Sequence, residues 1–295
     1  MTTERKIAGI YRGAPLHWVG DGFRVSNYFP SGNDFGARVS PFILMDYAPP
    51  YHYPPTDHHQ RGVGPHPHRG FETVTLAFEG SVAHHDSSGN EGVIGPGDVQ
   101  WMTAASGVLH KEYHEREFAR TGGMFHMLQL WVNLPAAHKM SAPRYQALTA
   151  ARMGRVELPD NSGTVRVIAG VYNGVEGPAA TVTPLNLFDI RLNAGVSIPL
   201  SFPAQENTLA LVMQGTIEVN SKTANALDLV VFENEGEAIT LRVTQEAQVL
   251  LLNGEPIAEP VVQYGPFVMN TQAEIRAAMK DFGSGKFGQL ADKQP

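Results

Sequence analysis

A chain of 295 residues, 42% of them hydrophobic, is long enough for two domains and apolar enough to bury a sizeable core. Its formal net charge of −7 argues against direct binding to nucleic-acid phosphate, and its lack of cysteine excludes disulfides and thiolate metal sites. Any metal site must draw on its 12 histidines and its carboxylates.

The first ten residues hold no apolar stretch of signal-peptide length, and no run approaches the ~20 residues that cross a bilayer. A soluble cytoplasmic protein with no membrane partner is expected. Residues 23–29 alternate as a strand, and residues 42–46 suggest another. Between Pro49 and His66 the chain turns to Pro, Tyr, His and Gly and reads as a long loop leading into a site. From Glu72 onward strand follows strand: residues 73–78, a turn at Glu79-Gly80, then 81–85. A turn cluster at 86–90 and the Pro96-Gly97-Asp98 turn precede residues 99–103, and residues 124–132 form a long apolar strand. Residues 135–140 permit a connecting turn of helix, and the domain boundary is placed here, giving lobes 1–138 and 139–295. The β pattern resumes at 164–168, 185–190, 209–213, 215–219, 229–232 and 249–252. Thr271-Gln-Ala-Glu274 is a capping-box pattern and predicts a C-terminal helix ending near Gly283.

An internal repeat relates Val74-Thr-Leu-Ala-Phe-Glu-Gly80-Ser-Val82 to Leu209-Ala-Leu-Val-Met-Gln-Gly215-Thr-Ile217, 135 residues on. At this offset His66 becomes Ser201, His68 becomes Pro203 and Glu72 becomes Asn207. Every histidine lies at or before His138, so the second lobe has the scaffold without imidazoles and reads as structural, or as a lid or partner surface.

The chemistry is concentrated in two short stretches. His66-Pro-His68 and His110-Lys-Glu112 each place two ligand types at i and i+2, which a strand points to one face. If the two strands are neighbours, three imidazoles and a carboxylate converge on one point and suit a divalent transition metal. Glu72, four residues after His68, is either a ligand in place of Glu112 or a carboxylate beside the site that fixes an imidazole tautomer, and the second role is expected. A lone histidine in a β protein is ordinarily a core or surface residue. That reading is applied to His17, His52, His58, His59, His84, His85, His114 and His138, while His126 lies on a strand whose facing the sequence leaves open. Trp101, Met102, Phe125 and Trp131 are candidates for apolar pocket walls, although each is more often plain core.

The runs His66-Pro-His68-Arg-Gly-Phe-Glu-Thr-Val, Pro96-Gly-Asp-Val-Gln-Trp-Met-Thr-Ala, Gly107-Val-Leu-His110-Lys-Glu112 and Leu128-Gln-Leu-Trp-Val-Asn-Leu134 closely resemble the pirin family of the cupin superfamily. So do Gly254-Glu-Pro-Ile and Gly265-Pro-Phe-Val-Met-Asn-Thr271. The resemblance implies an all-β bicupin, two jelly-roll-like barrel lobes with a short C-terminal helix and metal only in the first lobe. It implies His66, His68, His110 and Glu112 as ligands of one divalent ion, with Fe(II) the expected metal and Ni, Mn, Co or Cu as alternatives. It further implies a quercetin 2,3-dioxygenase-type activity on a small aromatic substrate and O2, with Glu112 as catalytic base. The second function it implies is non-enzymatic: a redox-sensing, metal-dependent cofactor of transcription regulators that docks a protein partner. Closed barrels leave few edge strands, so a monomer is expected.

Overall fold

Period-two alternation, punctuated by glycine and proline, folds the chain into strands; the computed structural model describes residues 3–56 and 60–290. His58 and His59 lie outside the described residues. Two compact units result, and they interleave along the sequence. One gathers the residues up to Ala14, Tyr28–Pro41 and Ala151–Pro256; the other gathers Pro15–Asn27, Phe42–Ala150 and the residues from Ile257 onward. Four segments thus cross the boundary expected after His138: the residues up to Ala14, Tyr28–Pro41, residues 139–150 and the residues from Ile257 onward.

Physical reasons for the crossing are visible at each end. In the first unit the strand Ile7–Arg12 pairs antiparallel with Asp228–Phe232 and closes one edge of a nine-stranded sheet. Arg5 is buried completely, and its guanidinium donates to the carbonyls of Phe202, Pro203, Glu206 and Gly236 and to Thr208 Oγ1. A guanidinium so fully satisfied anchors the N-terminal segment to this unit. In the second unit the helix Gln272–Gly283 carries the expected box, with Thr271 and Glu274 capping each other. It packs Ile275 and Ala278 against Phe267, Met269 and Phe287. Asp281 reaches Arg69 at 3.0 Å, and the Arg69 guanidinium lies 4.6 Å from the Phe287 ring centre.

The second unit is built from a seven-stranded sheet and a four-stranded sheet. Strand order in the larger is Arg144–Leu148, Val99–Thr103, Phe71–Glu79, Gly123–Asn133, Phe42–Tyr53, Phe23–Phe29 and His17–Val19. The smaller runs Gly62–His68, Val108–His114, Val82–Asp86 and Glu91–Ile94. The strand read as residues 42–46 continues to Tyr53, and the next begins at Gly62, so the stretch from Pro49 to His66 expected as one long loop is strand at both of its ends. Pro49 and Pro50 survive inside a strand because they sit at a register shift, between the pairs Ala48↔Met127 and Tyr51↔Phe125. Among the described residues no helix is long and apolar enough to cross a membrane.

Candidate metal centre

The Gly62–His68 and Val108–His114 strands are antiparallel neighbours, and His66 lies directly opposite His110. A bulge after His110 shifts the register, so Glu112 faces Val63. Gly70 follows the first pair with φ +90°; a Cβ there would collide with the Val268 carbonyl, so the turn out of His68-Arg69 requires glycine. The imidazoles of His66, His68 and His110 converge with ring centres 4.2–4.8 Å apart, and one ligand atom from each falls within 4.8 Å of the others. Glu112 forms a second such group with His110 and His84.

Burial drives His68 and His110 well below the ordinary histidine range, and their neighbouring imidazoles push them the same way. They are held neutral, the form that binds a metal. His66 Nδ1 bonds the Gly64 carbonyl at 2.8 Å, which makes Nδ1 the protonated nitrogen and leaves Nε2 bare. His68 Nδ1 and His110 Nε2 are buried with no hydrogen-bond partner among the described residues. Orphaned imidazole nitrogens beside a buried carboxylate fit a divalent transition metal, which would satisfy them.

Glu112 is held by a transverse row of polar side chains. Gln100 pairs with Thr75, Thr75 with Gln129, and Gln129 with Asp46 across four adjacent strands, so all four share one face. Thr75 Oγ1 and Gln100 Nε2 each donate to Glu112 Oε1 at 3.3 Å, and Gln129 Nε2 donates to Oε2 at 3.0 Å. Asp46 ends the row and accepts from Asn27 Nδ2 at 2.7 Å. Burial raises the Asp46 carboxyl above its ordinary range, against the opposing pull of that bond.

A cavity of about 280 Å³ opens over His66, His68 and Glu112. Val19, Phe23, Val25, Met127 and Trp131 supply apolar walls, and Asp46 and Gln129 supply polar ones. Of the four wall candidates from sequence, Trp131 alone lines it; Trp101, Met102 and Phe125 are buried, Met102 and Phe125 within core clusters. Pro266 also lines it, so the C-terminal segment completes the site rather than standing apart. His126 is not a wall: its Nε2 bonds Tyr47 Oη at 2.8 Å.

Two expectations need correction. Glu72 does not orient an imidazole; it accepts from Thr103 Oγ1 at 2.6 Å, and the Trp101 indole is its other side-chain partner. His84 is not a bystander, because its Nδ1 lies 3.3 Å from His110 Nδ1. The available signal was the spacing, since His84-x-Asp86 repeats the i, i+2 pattern of the ligand pairs.

Two β units, one bearing a histidine cluster that lines a cavity, define the class: an all-β bicupin with a candidate metal centre. The chain belongs to the pirin family, the Pirin model matching residues 22–132 and the Pirin C-terminal cupin domain residues 187–288. It is 49% identical over 283 residues to a Pseudomonas aeruginosa protein provisionally named quercetin 2,3-dioxygenase, covering 96% of this chain and 98% of that one. A pirin-like protein of Caulobacter vibrioides is 38% identical over 286 residues, covering 96% and 99%. The crystal structure of quercetin 2,3-dioxygenase from Acinetobacter baumannii superposes with a TM-score of 0.93 at 46% identity, covering 97% of this chain and 99% of that one.

Proposed function

We propose that this chain is a metal-dependent dioxygenase that opens flavonols such as quercetin, with His66, His68, His110 and Glu112 as ligands of one ferrous ion and Glu112 as the base. The observation that carries the reading is a cluster of three imidazoles, His66, His68 and His110, with a hydrogen-bonded carboxylate, Glu112, that groups with His110 and lines the same largely apolar cavity as His66 and His68. The names of its relatives support the substrate class.

When bound, the ion supplies Lewis-acid polarisation of a substrate oxygen. The chain supplies the rest. Phe23, Val25, Met127 and Trp131 take up flat aromatic rings. At about 280 Å³ the cavity lies near the lower end of small-molecule sites, which suits one planar molecule. Glu112 accepts the proton of the flavonol 3-hydroxyl, and the donors on both its oxygens fix its orientation. The two atoms of O2 end bonded to ring carbons 2 and 4, carbon 3 leaves with its own oxygen as carbon monoxide, and the proton returns to the product carboxylate. No external reductant is required.

The test is oxygen uptake and carbon monoxide release with quercetin, using protein loaded separately with iron, nickel, manganese, cobalt and copper. Metal-dependent uptake is expected, abolished in His66→Ala and in a Glu112→Gln variant that still holds metal. No uptake at full occupancy would overturn the dioxygenase reading in favour of a redox-sensing protein-interaction role.

A further inference from the structure

His84 and Asp86 stand behind His110 as a pair that neither the sequence motif nor the proposed ligand set includes. Both side chains are almost wholly buried, with exposures of 0% and 1%. His84 Nδ1 faces His110 Nδ1 at 3.3 Å, and His84 Nε2 faces Asp86 Oδ2 at 3.5 Å. Two imidazole nitrogens that meet in this way cannot both carry a proton or both be bare; one must donate.

The surroundings decide which. Asp86 Oδ1 accepts from the backbone N–H groups of Ser88 at 2.8 Å and Asn90 at 3.1 Å, and Asn90 Nδ2 reaches both carboxylate oxygens at 3.0 and 3.2 Å. Asp86 is therefore an acceptor only, and His84 Nε2 must carry the proton between them. With the ring proton of His84 on Nε2, its Nδ1 is the acceptor, so His110 Nδ1 is the donor and His110 Nε2 keeps its lone pair. That nitrogen is the buried one with no hydrogen-bond partner.

Tyr145 fixes the geometry from the other side. Its ring stacks on His84 at 5.2 Å and 7°, and its hydroxyl donates to Gln100 Oε1 at 3.3 Å. The oxygen of Gln100 is thereby occupied, and its Nε2 is turned towards Glu112.

We propose that Asp86 and His84 are positioning residues that order the proton on His110, so that its Nε2 lone pair is the one offered to a metal. The inference rests on reading His110 as a ligand, but its first test does not. In metal-free protein, ¹⁵N NMR of the histidine rings should show His84 protonated at Nε2 and His110 protonated at Nδ1. The opposite pattern, or a doubly protonated His84 at neutral pH, overturns the proposal whether or not the protein proves to be a dioxygenase.

The second test uses Asp86→Asn. An amide that keeps Oδ1 on the Ser88 and Asn90 N–H groups turns its NH2 towards His84 and reverses both bonds, moving the His110 proton to Nε2. Ni(II) affinity, measured by calorimetric titration at neutral pH, should fall 10- to 100-fold with the metal-free melting temperature nearly unchanged. His84→Phe keeps the stack on Tyr145 and releases the His110 proton without forcing it to the wrong nitrogen, so its loss should be smaller. A wild-type Ni(II) affinity and His110 tautomer in Asp86→Asn would refute the relay. A loss in His84→Phe as large as in His66→Ala would instead make His84 a ligand. Failure of wild-type protein to bind Ni(II) would count against the ligand set and leave the NMR result to decide the relay.

Discussion

Gln129 Nε2 donates to Glu112 Oε2 at 3.0 Å from the middle of a strand in the larger sheet, while Glu112 belongs to the smaller one. The bond ties the carboxylate proposed as base to a fixed point on the opposite wall, and Gln129 itself lines the cavity. Gln129→Met keeps the length of the side chain and removes the donor. With metal content verified as unchanged, kcat for oxygen uptake is expected to drop by roughly 10-fold or more, the usual scale for a partner that orients a ligand. Wild-type kcat would show that Thr75 and Gln100 hold Glu112 without help.

Lys139 is 1% exposed, and its ammonium donates to the carbonyls of Gly70 and Val268 and to Asn133 Oδ1, at 2.6–3.0 Å. Burial pulls it down to about 8, yet three acceptors engage all three protons and favour the charged form. Lys139→Met strands two carbonyls and an amide oxygen in the interior. A loss of about 3–5 kcal/mol is expected in urea unfolding of the metal-free protein, comparable to breaking a buried ion pair.

His114 is packed among Phe23, Tyr53, Phe118 and Phe125, and its Nε2 meets the Gly22 carbonyl at 2.8 Å. Burial takes it down to about 4; the Gly22 bond and Asp21 oppose the shift, and Arg61 adds to it. Between pH 6.5 and 4 the unfolded chain binds this proton and the folded chain does not. Stability from this residue is therefore complete above about 6.5 and lost as pH falls towards 4, a loss on the order of 3 kcal/mol. Metal-free His114→Phe should show a flatter stability profile over that interval than the parent; parallel profiles would contradict the assignment.

Phe287 sits close to the end of the described chain, 3% exposed, against Gly107 and beneath Arg69. Phe287→Ala should cost about 3–5 kcal/mol, the range for emptying a buried aromatic site. The damage should appear in the unit that holds the histidines, read as weaker Ni(II) binding and faster amide exchange at Val108–His114. Protection confined to its normal pattern there would show that the helix and its following turn are dispensable to the centre.

The histidine cluster of His66, His68 and His110 was legible because strand geometry converts an i, i+2 spacing into a shared face and pairs the two strands. The repeat made the second scaffold legible for the same reason, since apolar alternation survives where the histidines do not. His84 and Asp86 carry the same spacing, but Asp86 also opens the turn through Ser88 and Asn90, and that turn chemistry hid its second role. Pro49 and Pro50 read as loop because a register shift that accommodates them is a property of the partner strand. Glu72 lies on the Phe71–Glu79 strand beside the site, but its partner, Thr103, comes from the neighbouring strand. The terminal exchange between units had no local signature at all: the pairing of Ile7 with Phe232 depends on which sheet edge is open once everything else has folded.

That exchange bears on how the protein is made. The Ile7–Arg12 strand has its partner, Asp228–Phe232, among the last strands of its own unit, and the histidine-bearing unit needs Phe267, Met269 and the helix after them. Neither unit is a continuous stretch of chain, so neither can close until its distant segments have all been made, and a simple N-to-C succession of domain folding is closed to this chain. Until Ile7–Arg12 covers it, the Asp228–Phe232 edge is open to pairing with another chain.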